Sequence, residues 1–238
     1  MIEPLLLAVA RVSTYAGSHA LTAATGFFFR RGQRLFLVTS RHVFIDSDSG
    51  HHPDRIEIVL HTDTVNLTRA VLVALPLYRA GESLWRQGVD SGGEVDVAAL
   101  ELDPAALPPG AVLHAFTPGH LQGELEEIGI GAPLLVVGFP LGFYDTAYNL
   151  PVARQAAVAS AFGVRFQGQG YFLTDARTHR GTSGAPVVMH DARAGSELPW
   201  RLVGIHSARM DMGNREQGDE SLGLNCAWYA DMLIALTE

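Results

Sequence analysis

"LDPAALPPGAVLHAFTPGH", residues 102–120, divides the chain into two stretches of similar rhythm. Strand interiors tolerate such a density of Pro and Gly poorly, because Pro lacks an N–H and Gly has no side chain to pack. On both sides lie short apolar runs separated by turn residues, the pattern of an all-β protein. Upstream, "TGFFFRR" and "RLFLVTS" flank Gly32 and Gln33 as a hairpin. "RIEIVLH" then alternates with period two, followed by "RAVLVAL" and, after a loop holding Gly81, Gly88, Gly92 and Gly93, by "VDVAALEL". Downstream come "APLLVVGFP", "RQAAVASAF", "GYFLTDA", "GAPVVMH", "RLVGIHSA" and "LGLNCA". The tail "WYADMLIALTE" puts Trp228, Met232, Leu233 and Leu236 at helical spacing. Two runs of about six strands predict two packed six-stranded β-barrels with a C-terminal helix, over residues 1–112 and 113–238. A single large β-sandwich is the alternative.

Composition narrows the function. The chain has 238 residues, 47% hydrophobic and 18% charged, the balance of a folded protein with a sizeable core. A formal charge of −8 argues against general nucleic-acid binding, which needs clustered cations on phosphates. Lysine is absent, so every basic side chain apart from histidine is arginine. Cys226 is the only cysteine, so no internal disulfide forms and a reducing compartment suits the protein. The opening "MIEPLLLAVARVS" carries Glu3 where an export signal wants positive charge, and Arg11 cuts its apolar run short. It reads as a first strand, and a cytoplasmic protein with no membrane span is expected.

Chemistry concentrates in "HRGTSGAPVV", residues 179–188. Ser183 there is either a turn residue or a nucleophile, with Gly181 freeing the backbone to aim N–H groups at a developing oxyanion. The second reading needs a base and a carboxylate. His42 follows directly on the apolar run of "RLFLVTSRHVF", where a strand end holds a side chain rigidly at a barrel rim. Asp96 is an acid embedded in apolar "VDVAALEL", costly to bury unless paired, and an imidazole is a suitable partner. Its competitor Asp90 lies in the Gly-rich loop and reads as a solvated turn residue.

Taken together, "LVTSRHV", "VDVAALEL", "VVGFPLG", "TDARTHRGTSGAPVV" and "LVGIHSA" resemble, in order, the motifs of the trypsin-like (chymotrypsin-fold) serine peptidases. The likeness covers most of residues 22–236 and is greatest to their disulfide-free bacterial branch, which includes the high-temperature-requirement proteases. It implies Ser183 as nucleophile, His42 as base and Asp96 as the residue holding the tautomer. The N–H groups of Gly181 and Ser183 would form the oxyanion hole, Ser207 would support Asp96, and the substrate would be a protein or peptide. No cofactor or metal is implied. Thr182 stands where digestive members carry an aspartate that pairs with a new N-terminus, so activation by that salt bridge is not expected. Nor is a downstream peptide-binding domain, membrane tethering or stress sensing.

His206 and Thr178 match the histidine and threonine of a specificity pocket in glutamyl endopeptidases and picornaviral processing proteases. Both side chains can donate to a carboxylate or carboxamide oxygen, which predicts cleavage after Glu or Gln. Arg180 and Arg209 would favour negative charge nearby. The competing reading makes His206 a satisfied core histidine and pairs Arg209 with Asp211. His51, His52, Asp54 and His61 fit no common zinc spacing and read as solvated turn residues. The rival to an enzyme is a protease-like binding or regulatory module, inactive or activated by a partner.

Overall fold

The computed structural model describes residues 2–122, 128–191, 197–211 and 221–238. The opening apolar run starts as a helical turn, α1 (Pro4–Leu7), rather than as strand. Pro4, with φ preset for a first turn, begins it, and Leu5 and Leu7 bury their side chains. β1 (Val9–Ala16) follows. β2 (His19–Arg31) and β3 (Arg34–Thr39) form the expected hairpin, with Arg31 opposite Arg34 and Gly32 at φ +59°. After the short α2 (Arg41–Phe44) come β4 (Arg55–His61) and β5 (Ala70–Pro76). A small hairpin of β6 (Tyr78–Arg79) and β7 (Glu82–Ser83) leads to β8 (Trp85–Asp90) and β9 (Gly93–Leu102).

β8 lies within the stretch that its glycines mark as a loop. Trp85 anchors it in the core, and Gly88 falls where the β8–β9 register shifts, so that glycine accommodates a bulge and not a loop. The first half therefore gathers seven strands in the order β5-β4-β1-β2-β3-β9-β8, one more than the sequence rhythm suggests.

In the second half, β10 (Pro133–Gly138), β11 (Val152–Val158), β12 (Tyr171–Asp175), β13 (Pro186–His190), β14 (Trp200–Asp211) and β15 (Ser221–Tyr229) close a barrel. Its order is β10-β11-β12-β15-β14-β13. The helical tail is short: a 3₁₀ turn at Ala230–Met232 and α3 (Leu233–Leu236), with Trp228 still in β15.

Strand alternation builds three cores. On β2, Phe28 points into the first half beside Leu37, Ile56 and Ile58, while Phe27 and Phe29 point out of it. Those two meet Val137, Phe139, Leu202 and Ile205 from the second half, in a seam core that both halves share. Phe172, Val187, Val203 and Ala227 fill the barrel itself. Burying large side chains from both halves in one seam, at roughly 1.5–3 kcal/mol each, holds the rims of the two halves in a fixed relation. The candidate residues lie along that seam.

Candidate active site

β3 ends at Thr39, and α2 turns His42 back toward β9, where Asp96 has the same parity as Ala98 and Leu100. The His42 backbone N–H donates to Asp96 Oδ1 at 2.9 Å, and His42 Nδ1 lies 2.7 Å from Oδ2. The Ser207 hydroxyl, from β14 across the seam, also donates to Oδ2. Burial alone would raise the Asp96 pKa, but hydrogen bonds and charge from His42, together with the Ser207 hydroxyl, outweigh it and hold the carboxyl below its usual value. For His42, burial lowers the pKa, while the hydrogen bond and charge of Asp96 raise it further, so it ends above 6.5. An ionised Asp96 only accepts, so Nδ1 carries the imidazole proton and, in the neutral ring, Nε2 is the free acceptor.

Ser183 lies in the turn before β13. Its hydroxyl donates to the Ser207 carbonyl at 3.2 Å, and no hydrogen bond joins it to His42 among the described residues. The motif reading expects the His42 contact. A hydroxyl has one proton, and the nearby carbonyl takes it. Ser207 thus serves both neighbours, its hydroxyl on Asp96 and its carbonyl on Ser183.

The backbone around Ser183 is tightly held. Arg180 C=O accepts from Leu141 N–H at 2.6 Å, and Thr182 C=O accepts from Ala185 N–H at 2.9 Å. In a trans peptide, N–H and C=O point opposite ways, so these two anchors aim the Gly181 and Ser183 N–H groups away from them. Neither N–H has a protein acceptor among the described residues. Gly181 has φ +92°, and a Cβ there would lie 2.5 Å from the Phe139 carbonyl oxygen, so both conformation and space require glycine.

Thr178, 3% exposed, donates its hydroxyl proton to Asn225 Oδ1. The orientation of the Asn225 amide is fixed because its Nδ2 faces the carbonyls of Thr174, Ala176 and Gly223. Thr178 is therefore an acceptor toward any further group, not the donor that the sequence suggests. His206 is 2% exposed and pairs with Ala227, two residues along β15 from Asn225 and on the same face. Its Nδ1 is buried without a hydrogen-bond partner among the described residues, so it is not a satisfied core histidine. Burial, with a smaller contribution from His42, pushes its pKa down to about 4.

Of the other candidates, Arg180 has an exposed side chain, and its carbonyl makes the structural contact. Arg209 is partly buried on β14, while the Asp211 side chain lies outside the described residues. Asp90 is not simply solvated: it pairs with Arg165 at 2.7 Å, tying the β8–β9 turn to the second half. His51 and His61 bond to the carbonyls of Val43 and Tyr148, and Asp54 accepts from Gly17 N–H.

Sequence reading missed Thr25 and Asn225. Thr25 is fully buried; its N–H donates to Ser183 C=O at 3.0 Å and its hydroxyl to Gly181 C=O at 2.7 Å. Its oxygens accept from Phe139 N–H and from Thr39. Each is a polar residue set against an apolar strand run, which is the signal that could have found it.

The model of the trypsin-like peptidase domain matches residues 24–205. No curated protein matches the chain. Among solved structures 383 chains match, including an HtrA-type protease with a tripeptide, at 19% identity and a TM-score of 0.59. That match covers 98% of this chain and 59% of the other, so this chain spans well under two thirds of that structure's length. The shared fold is the chymotrypsin-like one, and the family match takes in the His42 and Asp96 segments and the Ser183 turn. With well over half of its residues inside the family model, the chain belongs to the trypsin-like peptidase domain family.

Proposed function

We propose that this trypsin-like serine endopeptidase cleaves peptide bonds through an acyl-enzyme, with Ser183 as nucleophile, His42 as base and Asp96 as its orienting carboxylate. The observation that carries the reading is the two-point grip of Asp96 on His42. It leaves His42 Nε2 as the free acceptor, to take the Ser183 proton and return it to the leaving amine. Ser183 must first leave the Ser207 carbonyl, and catalytic hydrogen bonds often tighten only once substrate is bound. The Gly181 and Ser183 N–H groups then receive the oxyanion, held by anchored peptides that need no rearrangement. β13 pairs with β14 no farther than Ile205, and the turn before β13 extends the pairing to His206; an extended substrate would add along the edge of β14 past that point.

For the residue before the scissile bond, the hydrogen-bond directions favour Gln, with Glu second. A carboxamide offers an oxygen to an imidazole N–H and an N–H to the Thr178 oxygen, whereas a carboxylate offers acceptors only. His206 is neutral above about pH 4 and so brings no charge to balance Glu at neutral pH. The Ser183–Ser207 hydrogen bond favours a second reading, a binding module whose serine is idle. Labelling the pure protein with a fluorophosphonate separates the two. Stoichiometric modification of Ser183, absent in His42→Ala, supports the peptidase; an unlabelled protein supports the module.

A further inference from the structure

The segment from Phe139 to Leu150, between β10 and β11, touches the Ser183 turn at one end and the first half at the other. At its start, Leu141 has φ +53° and aims its N–H at the Arg180 carbonyl, 2.6 Å away. Farther on, the segment closes on itself. Asp145 and Leu150 exchange backbone hydrogen bonds, and Asp145 Oδ1 accepts from the N–H groups of Ala147 and Tyr148. From this closed loop the Tyr148 carbonyl reaches back to the last residue of β4, where His61 Nε2 donates to it at 2.6 Å. His61 is 6% exposed, so its ring has little access to water that could replace a lost acceptor. A second brace comes from β1, whose Arg11 guanidinium stacks 5.2 Å from the Tyr144 ring centroid, and Tyr144 in turn packs edge-on against Phe139.

We infer that His61 is a positioning residue for the oxyanion-binding peptide: through the Tyr148 carbonyl it holds the 139–150 segment, whose Leu141 N–H fixes the Arg180–Gly181 peptide. The inference rests on the peptidase reading for its catalytic consequence, not for its structural one. Rotation of that peptide would turn the Gly181 N–H out of the hole, while the His42–Asp96 pair and the peptide-binding edge of β14 stayed in place. The predicted signature is a loss in kcat with little change in KM.

The test uses three variants. His61→Leu removes the donor, His61→Gln keeps an N–H able to reach the carbonyl, and Asp145→Ala loosens the same segment from its exposed side. Amide hydrogen exchange reads the strut without reference to activity. Leu141 should exchange about tenfold faster in His61→Leu and Asp145→Ala, with Val137 of β10 unchanged and His61→Gln close to wild type. On a peptide substrate the same two variants should lose about tenfold in kcat, a fraction of the 10²–10³ that follows loss of a whole oxyanion donor. Unchanged Leu141 exchange in His61→Leu overturns the strut, whatever Asp145→Ala does. Faster exchange with kcat intact overturns the positioning role. A wild-type protein that fluorophosphonate does not label fails the peptidase reading instead, and the exchange data still decide the strut.

Discussion

His42 and His206 stand on the two sides of the candidate site, and their surroundings drive them in opposite directions. His42, at the rim of the first half, is gripped by Asp96 through both its backbone N–H and its ring, and its pKa lies above 6.5. His206, inside the closed barrel, has an Nδ1 with no partner among the described residues, and its pKa falls to about 4. Burial disfavours the imidazolium in both places, and only a carboxylate within hydrogen-bond reach reverses the sign. One side chain thus gains proton affinity, as the base proposed above needs, and the other becomes a neutral hydrogen-bonding group. The difference lies in what the neighbouring element supplies: β9 of the same half brings Asp96 to the His42 ring, and no carboxylate meets the His206 ring among the described residues.

The comparison breaks most severely at Asp96. Asp96→Asn should fold but lose about 10⁴ in turnover, about 5.5 kcal/mol of transition-state stabilisation, because an amide facing Nδ1 favours the wrong tautomer. Turnover near wild type, measured on any cleavable peptide, would show that another acid orients His42. Next in size is Gly181→Ala, which sets a Cβ against the Phe139 carbonyl at a positive φ. It should cost about 10²–10³ in kcat through the displaced donor, with about 1–3 kcal/mol of backbone strain visible in the unfolding midpoint.

His206 offers the sharper and smaller test. His206→Ala should reduce the preference for Gln over an apolar residue before the scissile bond by about five- to a hundredfold, the effect of one buried donor at about 1–3 kcal/mol. A peptide library read with both proteins measures it, and an unchanged profile removes the pocket argument. In the wild type the Gln-to-Glu ratio should stay flat from pH 8 to 6 and move toward Glu only on approach to about pH 4.

The smallest effect is a shift in pH profile. In the proposed mechanism neutral His42 is the reactive form, and its folded pKa is raised, so kcat/KM should fall as pH drops through a midpoint above 6.5. In Asp96→Asn the residual activity should show that midpoint moved to lower pH. An unmoved midpoint would mean that Asp96 does not set the imidazole's proton affinity.

Much of this molecule was legible before any coordinate. The strands of "RIEIVLH", "APLLVVGFP" and "RLVGIHSA" follow from their own apolar spacing, and the isolation of Asp96 in an apolar run pointed to a partner. The misreadings have more than one physical origin. "PLLL" reads as strand only when joined to the apolar run that follows it, whereas Pro4 presets a first helical turn. The glycines around Trp85 look like loop by local propensity, yet packing of Trp85 into a core built from distant strands made that stretch a strand. Thr178 looked like a donor because a hydroxyl always could be one. Its acceptor, Asn225, is 47 residues away, and that partner decides where the proton goes.

The sequence by itself determined the kinds of group present: an imidazole at a strand end, an acid inside an apolar strand, a serine between glycines, and enough alternating strands for two β layers. Those are local properties, carried by period and composition. Tertiary structure alone decided their directions. Thr25 and Gly181 are 156 residues apart yet share a hydrogen bond, and Ser207 joins Asp96 across 111 residues. A single proton on a hydroxyl or imidazole goes to whichever acceptor the fold brings within about 3 Å, and no local pattern encodes which acceptor that will be.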